Sequence, residues 1–415
     1  MDLRLCRSEL RGAVRAPASK SAAHRLMICA ALSGSPTYID FSGNSDDISA
    51  TERCLSALGC IISPTSSGVL VTPSADTGAA PELDCGESGS TLRFLLPVAA
   101  ALCGGFSVKV RGRLASRPLG SLMDAMREHG CSFSGEKPPF SVSGRLKPGR
   151  FRLPGSVSSQ YVTGLMFALP LLGGDSVIEI DGALSSGAYV DMTVSALRRF
   201  GIAVEPCSGG WRIPGRQNYV SPGRVEVEGD WSSAAFWLCA GALGGPVTVA
   251  GLDMDSAQPD RRIASLLGEM GAHISCAGGC VTASRGELRP LSVDIDRSPD
   301  LMPALAVTLA MCGGDSLIYN AARLRLKESD RLASMSSALT ALGIKSTETD
   351  DSLAITGGAP LPGEVDGSGD HRVVMASALA CAQTDLIIRG CEAAAKSYPA
   401  FFDDLAALGG RFERI

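Results

Sequence analysis

The feature that most constrains the fold of this 415-residue chain is a six-fold internal repeat. A helix-like segment of small and apolar residues, preceded by polar or capping residues, recurs about every 70 residues. The six copies run over 19–32, 86–102, 155–172, 229–243, 298–311 and 367–382. A fixed period of this kind is typical of a fold that stacks copies of one supersecondary unit.

Each copy continues with a turn and a short strand rich in β-branched residues. These strands are predicted at 37–39, 106–110, 176–180, 246–249, 316–319 and 386–388. A second, more amphipathic helix then ends at a glycine, which is a favoured helix stop. The six glycines are Gly59, Gly130, Gly201, Gly271, Gly343 and Gly409. A further strand is predicted after the glycine, as at 60–62, 203–204 and 411–412.

The repeats divide naturally into two domains of three. Six copies with two helices and several strands each cannot form one open sheet, and the chain is long enough for two cores. The third repeat is predicted to run to about Val225, with 222–228 as the crossover. The opening strand at 3–5 can pair into either domain.

Composition and charge exclude several classes of protein. A net charge of −5 argues against general nucleic-acid binding. The longest apolar runs, 94–103 and 301–312, are too short to span a bilayer. The first 11 residues lack the apolar segment of a signal peptide. We therefore expect a cytoplasmic protein without nucleic-acid or membrane partners.

The 14 cysteines are scattered, without a CxxC motif, and the chain has only four histidines. This pattern argues against structural zinc and suits a reducing compartment. Most of the cysteines are expected to be buried as small apolar side chains.

Polar residues cluster where the repeat helices are predicted to begin. The residues are Lys20, Ser21, Arg25, Gly89, Ser90, Arg93, Arg117, Ser158, Ser159, Gln160, Ser186, Asp300, Lys327, Glu328, Arg331, Asp370, His371, Arg372 and Lys396. Taken singly, a Ser or Asp here is usually an N-cap, and a Lys or Arg is usually solvated. Together, helix N-termini and several cations predict a site for more than one phosphate or carboxylate.

The densest of these clusters is the charged run Lys327–Arg331. A solvated helix face is one interpretation. However, Lys327 and Arg331 are four residues apart and would repel on one face of a helix, and Glu328 cannot neutralise both. This pattern favours an anion pocket with one acid placed to move a proton. Asp330 is expected to pair with a neighbouring cation.

Seven segments, in one order, resemble the 5-enolpyruvylshikimate-3-phosphate synthase family of enolpyruvyl transferases. They are 18–21 with His24 and Arg25, 87–90 with Arg93, 117–119, 155–161, 327–331, 370–372 and 395–396. The resemblance covers essentially the whole chain. The Ser158-Ser159-Gln160 and Lys327-Glu328 motifs are its most specific parts.

The resemblance implies an α/β (α+β) fold, a two-domain inside-out α/β barrel. Each domain would contain three βαβαββ units, with helices inside and sheets facing solvent. The first domain would comprise 1–18 and 229–415, and the second 19–228. Hinge segments would lie near 15–20 and 222–230. The resemblance also suggests a monomer.

The resemblance further implies the reaction. The carboxyvinyl group of phosphoenolpyruvate would pass to the 5-hydroxyl of shikimate 3-phosphate by addition and elimination, with release of phosphate. This step belongs to the shikimate pathway, which leads to chorismate and the aromatic amino acids. The resemblance calls for no metal or organic cofactor.

Residue roles follow from the matched motifs. Asp300 would be the base near the 5-hydroxyl, and Lys327 and Glu328 would serve proton transfer. Lys20 would be a further catalytic residue. Shikimate 3-phosphate would be bound by Lys20, Ser21, Arg25, Ser158, Ser159, Gln160, Ser186, Asp300 and Lys327. Phosphoenolpyruvate would be bound by Lys20, Gly89, Arg117, Gln160, Arg331, Arg372 and Lys396.

Some positions depart from the family pattern. Glu87 and Ser90 stand where Asn and Thr are common, and Arg323 replaces an Asn that contacts the shikimate phosphate in some members. Gly89 matches the glyphosate-sensitive pattern, because a methyl group there would crowd the phosphoenolpyruvate pocket. We therefore expect inhibition by glyphosate.

Two alternatives compete with this assignment. UDP-N-acetylglucosamine enolpyruvyl transferases share the fold and the donor, but carry a Cys just before the arginine that matches Arg117. Here 114–116 reads Leu-Ala-Ser. A non-catalytic binding protein for phosphorylated metabolites would need the cations, but not Asp300, Lys327 and Glu328 together.

Overall fold

The computed structural model describes residues 1–41, 43, 45–74, 80–155 and 158–415. Ser156 and Val157, within the third predicted helix segment and the 155–161 motif, lie outside the described residues. The α-helices of the described residues are α1 (Lys20–Ala31), α2 (Asp46–Ala57), α3 (Gly89–Leu102), α4 (Gly120–Glu128), α5 (Ser159–Ala168), α6 (Ala188–Arg199), α7 (Trp231–Leu243), α8 (Ile263–Glu269), α9 (Met302–Ala310), α10 (Arg331–Ala341), α11 (His371–Ala378) and α12 (Phe401–Ala407).

The strands form six four-stranded sheets in the described part of the chain. They are β1 (Leu3–Cys6), β2 (Gly12–Arg15), β3 (Thr37–Asp40), β4 (Ile61–Thr65), β5 (Gly68–Thr72), β6 (Glu82–Asp84), β7 (Gly105–Lys109), β8 (Ser132–Phe133), β9 (Phe140–Ser143), β10 (Arg150–Pro154), β11 (Ser176–Asp181), β12 (Glu205–Cys207), β13 (Gly210–Ile213), β14 (Arg224–Glu226), β15 (Val247–Ala250), β16 (His273–Ala277), β17 (Cys280–Ser284), β18 (Ser292–Asp294), β19 (Gly314–Tyr319), β20 (Lys345–Glu348), β21 (Leu353–Gly357), β22 (Gly363–Asp366), β23 (Leu386–Arg389) and β24 (Arg411–Arg414).

Each repeat builds one sheet in the same way, as the third repeat illustrates. Its chain order is β10-α5-β11-α6-β12-β13, and its sheet order is β10-β11-β13-β12. The first pair is parallel, with Arg150 opposite Val177, and the other two pairs are antiparallel. The predicted βαβαββ unit is therefore confirmed.

Three strands each complete the sheet of a repeat from which they are distant in the chain. β14 lies beside β3 and supplies the first strand of the first repeat. β2 lies beside β15 and does the same for the fourth repeat. β1, whose partner was left open by the sequence, lies between β23 and β24 and completes the sheet of the sixth repeat.

The chain separates into two compact units. One comprises Met1–Pro17 and Glu228–Ile415, and the other Ala18–Val227. We call these the first and the second domain. The domain boundaries expected from the sequence lay after residues 18 and 228. Those of the structure lie after residues 17 and 227, one residue earlier in each case.

The first helix of each repeat forms the core of its domain, and the sheets lie outside it. Every residue of α7 and of α9 is buried. The strands instead alternate, as in β10, where Phe151 and Leu153 are buried between exposed neighbours. Small residues allow the close packing: a Cβ on Gly164 of α5 would lie 2.2 Å from the carbonyl oxygen of Arg93 in α3. This arrangement confirms the predicted inside-out α/β fold.

The glycine stops are confirmed in all six repeats. Each glycine that follows the second helix has a positive φ, between +73° for Gly343 and +101° for Gly271. The predicted strand at 203–204, however, is wrong, because β12 begins only at Glu205. The Gln217 side chain binds both the N–H and the carbonyl of Ala203, at 2.8 and 3.0 Å, and so takes the groups that a strand partner would use.

All 14 cysteines are free thiols, and ten of them are buried, as expected. Burial raises the pKa of Cys239 and of Cys381 to about 12, so both remain protonated at neutral pH. Across the described ranges, no helix combines the length and the apolar character that a membrane span requires.

Candidate functional site

The first domain gathers charged side chains around Arg331, the first residue of α10. Its guanidinium is 1% exposed and donates to three carboxylates. Nε lies 2.8 Å from Asp370, Nη1 2.9 Å from Asp300 and Nη2 2.7 Å from Glu328. Burial alone would lower the pKa of Arg331, but these three carboxylates raise it above its ordinary value. Arg331 therefore remains charged.

Asp300 lies at the meeting point of three cations. Its Oδ1 accepts from Arg331 and lies 3.4 Å from Lys327 Nζ, and its Oδ2 lies 3.1 Å from Arg372 Nη2. Asp300 precedes α9, whereas its partners come from the segments around α10 and α11. Three segments that are separate in sequence therefore meet at one carboxylate.

Asp370 connects the two arginines. It is the N-cap of α11, where it accepts from the backbone N–H of Arg372 at 2.9 Å, and its other oxygen binds Arg331 Nε and Ser329 Oγ. Burial would raise the pKa of Asp370, but the charge of Arg331 lowers it overall. A fully buried carboxylate thus fixes α11 relative to Arg331.

The structure corrects the interpretation of the Lys327–Arg331 run. Lys327 is in an extended conformation before α10, and so it does not share a helix face with Arg331. The repulsion expected between them is offset by Asp300, which both contact, and by Asp370, which the sequence did not place nearby. Partial burial lowers the pKa of Lys327, and the attraction of Asp300 opposes that shift.

Two further residues of the first domain have clear positions. Asp330 is the N-cap of α10 and pairs with Arg325 at 2.7 Å, which confirms its expected pairing with a neighbouring cation. Lys396 Nζ donates to the carbonyl of Gly369, directly before Asp370, at 3.2 Å.

The second domain holds Lys20 and Arg25 on α1. Lys20 Nζ lies 2.7 Å from Asp47 of α2. Arg25 is buried, donates to Thr193 Oγ1 at 2.9 Å and to the backbone carbonyls of Ser21 and Tyr189. Burial lowers the pKa of Arg25 to about 10, so it is still protonated at neutral pH.

A second group of contacts in this domain surrounds Gln160, the second residue of α5. Its Oε1 accepts from Arg93 Nη1 at 2.9 Å, and its Nε2 donates to Ser90 Oγ at 3.0 Å. A Cβ built on Gly89 would lie 2.7 Å from Arg93 Nη1 and 2.8 Å from Arg117 Nη1. The motifs of α3, α5 and the segment before α4 therefore meet here.

The predicted serines lie at element starts. Ser158 is the N-cap of α5 and accepts from the backbone N–H of Gln160. Ser159 is the first residue of that helix. Both come directly after residues 156–157, which lie outside the described residues. Ser186 is buried with φ +53° just before α6. Ser21 is in the first turn of α1.

Several residues of these clusters were not assigned a role from the sequence. They are Asp47, Arg93, Thr193, Ser232, which accepts from Arg372 at 2.9 Å, and Asp370. Arg93 and Asp370 lie within the matched motifs and could have been found there. Asp47, Thr193 and Ser232 carry no local signal: the contacts of Thr193 and Ser232 join different repeats, and Asp47 lies 27 residues from Lys20 on the second helix of the same repeat. Within the described ranges, no group of three or more His, Cys, Asp and Glu side chains could hold a metal ion.

The chain is similar to known proteins over nearly its whole length. The family model described as EPSP synthase (3-phosphoshikimate 1-carboxyvinyltransferase) matches residues 6–405. The 3-phosphoshikimate 1-carboxyvinyltransferase of Clostridium kluyveri is 41% identical over 413 residues, covering 98% of this chain and 97% of the relative. That of Methanopyrus kandleri is 39% identical over 415 residues, covering 97% and 96%.

Solved structures show the same fold. The EPSP synthase from Acinetobacter baumannii superposes with a TM-score of 0.82 at 24% identity, over the full length of both chains. The enolpyruvyl transferase NikO from Streptomyces tendae gives a TM-score of 0.80 at 21% identity, covering 99% of this chain and 98% of that one.

Proposed function

Because the chain belongs to the EPSP synthase family, we propose that it transfers the carboxyvinyl group of phosphoenolpyruvate to the 5-hydroxyl of shikimate 3-phosphate. The products are 5-enolpyruvylshikimate 3-phosphate and phosphate. Full-length similarity to relatives that carry this activity in their names supports the proposal. The structural observation that carries it is the cluster of Asp300, Lys327 and Glu328 with the arginines of α10 and α11.

The reaction is an addition followed by an elimination. A proton adds to the methylene carbon of phosphoenolpyruvate, and the hydroxyl oxygen bonds to the adjacent carbon as it loses its own proton. The tetrahedral adduct then loses phosphate from that carbon and a proton from the new methyl group. These steps need a base for the hydroxyl, a group that gives and removes the carbon-bound proton, and cations for phosphates and carboxylates.

We assign the proton transfers to the first domain. Asp300 takes the proton of the 5-hydroxyl, and Glu328 and Lys327 serve the methylene carbon and the target oxygen. The lowered pKa of Lys327 supports this assignment, because it brings the ammonium group closer to donating its proton near neutral pH. Arg331, Arg372 and Lys396 are assigned to phosphoenolpyruvate, since bidentate guanidinium groups suit its carboxylate and phosphate.

The second domain supplies the remaining binding residues in this proposal. Ser21, Arg25, Ser158, Ser159, Gln160 and Ser186 bind shikimate 3-phosphate, and Lys20, Gly89, Arg117 and Gln160 bind phosphoenolpyruvate. Lys20 also serves catalysis as a charged donor. Support comes from the way the fold collects the predicted residues, as in the group formed by Gln160, Ser90 and Arg93.

Phosphate release with two acceptors tests the proposal. The protein is incubated with phosphoenolpyruvate and either shikimate 3-phosphate or UDP-N-acetylglucosamine. Release only with shikimate 3-phosphate is expected. Release only with the nucleotide sugar would favour the sister enzyme, and release with neither would favour a binding protein.

Asp300→Ala and Glu328→Ala test the residue roles in the same assay. Each is expected to reduce turnover by roughly 100-fold or more, the usual contribution of a positioned acid or base. Binding of shikimate 3-phosphate, measured by calorimetry, should persist in both. Near-normal rates in both variants would remove the assigned roles.

We also propose that the enzyme is a monomer in the cytoplasm, with its two substrates as its partners. The family resemblance supports this. Light scattering during size-exclusion chromatography is expected to give the mass of one chain, and a dimer mass would contradict it.

A further inference from the structure

Asp300 is engaged by cations at both carboxylate oxygens in the first domain. Arg331 lies 2.9 Å and Lys327 3.4 Å from Oδ1, and Arg372 lies 3.1 Å from Oδ2. Cations at this distance stabilise the ionised carboxylate and make it a weaker proton acceptor. In this arrangement, the group assigned as the base is poorly prepared to act as one.

Two of these cations are also assigned to the donor substrate. Arg331 is 1% exposed, and each of its three nitrogens already donates to a carboxylate of this domain. Arg372 Nη2 donates to both Asp300 and Ser232. A phosphate or carboxylate that approaches the guanidinium N–H groups facing Asp300 therefore competes with that carboxylate for them.

The three carboxylates on Arg331 differ in how readily they can give way. The Asp370 side chain is 0% exposed and also caps α11, so it is fixed by two roles. Asp300 and Glu328 are 21% and 26% exposed. Asp300 and Glu328 are therefore the exchangeable partners, whereas Asp370 remains as the permanent counter-ion.

We propose that Asp300 and phosphoenolpyruvate compete for Arg331 and Arg372, so that donor binding releases Asp300 to act as the base. This inference rests on the proposed function. The donor anion takes over guanidinium N–H groups, and Asp300 keeps Lys327 as its neighbour. Asp300 then accepts the hydroxyl proton as the oxygen bonds to the central carbon of the donor. The base is thus activated only when its electrophile is present.

The other charged groups around this carboxylate do not remove the competition. Glu328 and Asp370 bind Arg331, which also binds Asp300. The charges of Asp230 and Asp260 act on Arg372, and the charge of Arg323 acts on Lys327. Donor affinity is therefore compared between variants of Asp300 and of these neighbours.

Asp300→Asn tests the competition, because Asn preserves the volume and removes the charge. Binding of phosphoenolpyruvate alone is measured by calorimetry. The variant, although it turns over poorly, is expected to bind the donor roughly tenfold more tightly than the wild-type chain, a change equivalent to about one charge-assisted hydrogen bond.

Asp230→Asn is the matched control for the general effect of removing a negative charge. Asp230 is a buried carboxylate of the same domain whose charge acts on Arg372. Its Oδ1 accepts from the N–H of Ser233 and from the hydroxyl of Ser232, which itself accepts from Arg372. Asp230→Asn therefore removes a nearby negative charge and leaves Asp300 on both guanidinium groups. Asn is an equally good helix cap. Competition predicts a change in donor affinity of less than about twofold here.

Glu328→Gln provides a second variant. It removes the negative charge that binds Arg331 Nη2, and it is also expected to tighten donor binding. The inference is overturned if neither Asp300→Asn nor Glu328→Gln binds phosphoenolpyruvate more tightly than Asp230→Asn. Failure of the proposed function is recognised separately, because the wild-type chain would then release no phosphate in the presence of shikimate 3-phosphate.

Discussion

At the scale of single residues, each domain pairs cations that were predicted to bind substrate with carboxylates of the same domain. Arg331 is surrounded by Asp300, Glu328 and Asp370, and Lys20 is paired with Asp47. Buried charges need such partners, because an unpaired charge in a protein interior is costly. Fixed partners also hold the side chains in place.

Gly89→Ala tests how closely two arginine side chains approach the backbone at the start of α3. The added methyl would lie 2.7 Å from Arg93 Nη1 and 2.8 Å from Arg117 Nη1, both ends of flexible side chains. The arginines can move aside, so stability should stay near that of the wild-type chain. We expect the KM for phosphoenolpyruvate to rise roughly tenfold or more, because the two guanidinium groups are displaced.

Glyphosate inhibition is measured on the same proteins. The wild-type chain is expected to be inhibited and Gly89→Ala to be resistant. Gly120→Ala is the matched control, since a Cβ there meets nothing within 4 Å. Full wild-type activity at millimolar glyphosate, or equal sensitivity of Gly89→Ala, would contradict the prediction.

At the scale of elements, the second helix of every repeat ends in the same way. A glycine with positive φ turns the chain into the next strand, because residues with a Cβ rarely adopt that conformation. The surroundings of these glycines nevertheless differ. A Cβ on Gly271 would lie 2.3 Å from the carbonyl oxygen of Glu287, whereas one on Gly409 would lie 3.3 Å from that of Glu9.

Gly271→Ala and Gly409→Ala therefore separate backbone strain from steric overlap within one domain. Their φ values are similar, +101° and +96°, so both should lose about 1–2 kcal/mol from strain. Gly271→Ala should lose at least about 1 kcal/mol more, because a backbone carbonyl must move. Urea denaturation of both variants measures the difference, and equal losses would show that the overlap relaxes freely.

At the scale of the whole molecule, the order of strands in space departs from their order in the chain. β1 and β2 precede the second domain in sequence, yet they pair with strands of the first domain. Since β1 lies between β23 and β24, the first domain requires both ends of the chain to complete that sheet.

Leu5→Ala tests whether the first domain depends on β1. Leu5 of β1 is fully buried, and truncating it should cost the first domain about 2–5 kcal/mol. Hydrogen exchange read by mass spectrometry should show lost protection in 228–415 and unchanged protection in 18–227. Leu361→Ala, at an exposed position of the same domain, is the control. Equal loss of protection in 18–227 would contradict the assignment of β1 to the first domain.

The sequence by itself determined the repeat, the glycine stops and the identity of the motif residues. These are local properties: periodicity, helix capping and turn conformation depend on neighbours within a few residues. The family resemblance added the inside-out arrangement and the reaction. The strand predicted at 203–204 failed because a distant side chain, Gln217, took the backbone groups of Ala203.

Only the tertiary structure decided how the charged residues are paired. The sequence placed Lys327 and Arg331 on one helical face and predicted a pocket of unbalanced cations. The structure instead brings Asp300 and Asp370, 31 and 39 residues away from Arg331, into contact with its guanidinium. Charge pairing depends on distances between elements, and these are set by the packing of α9, α10 and α11 around one core. For this reason the charged residues of this cluster could be named from the sequence, whereas their pairing with one another could not.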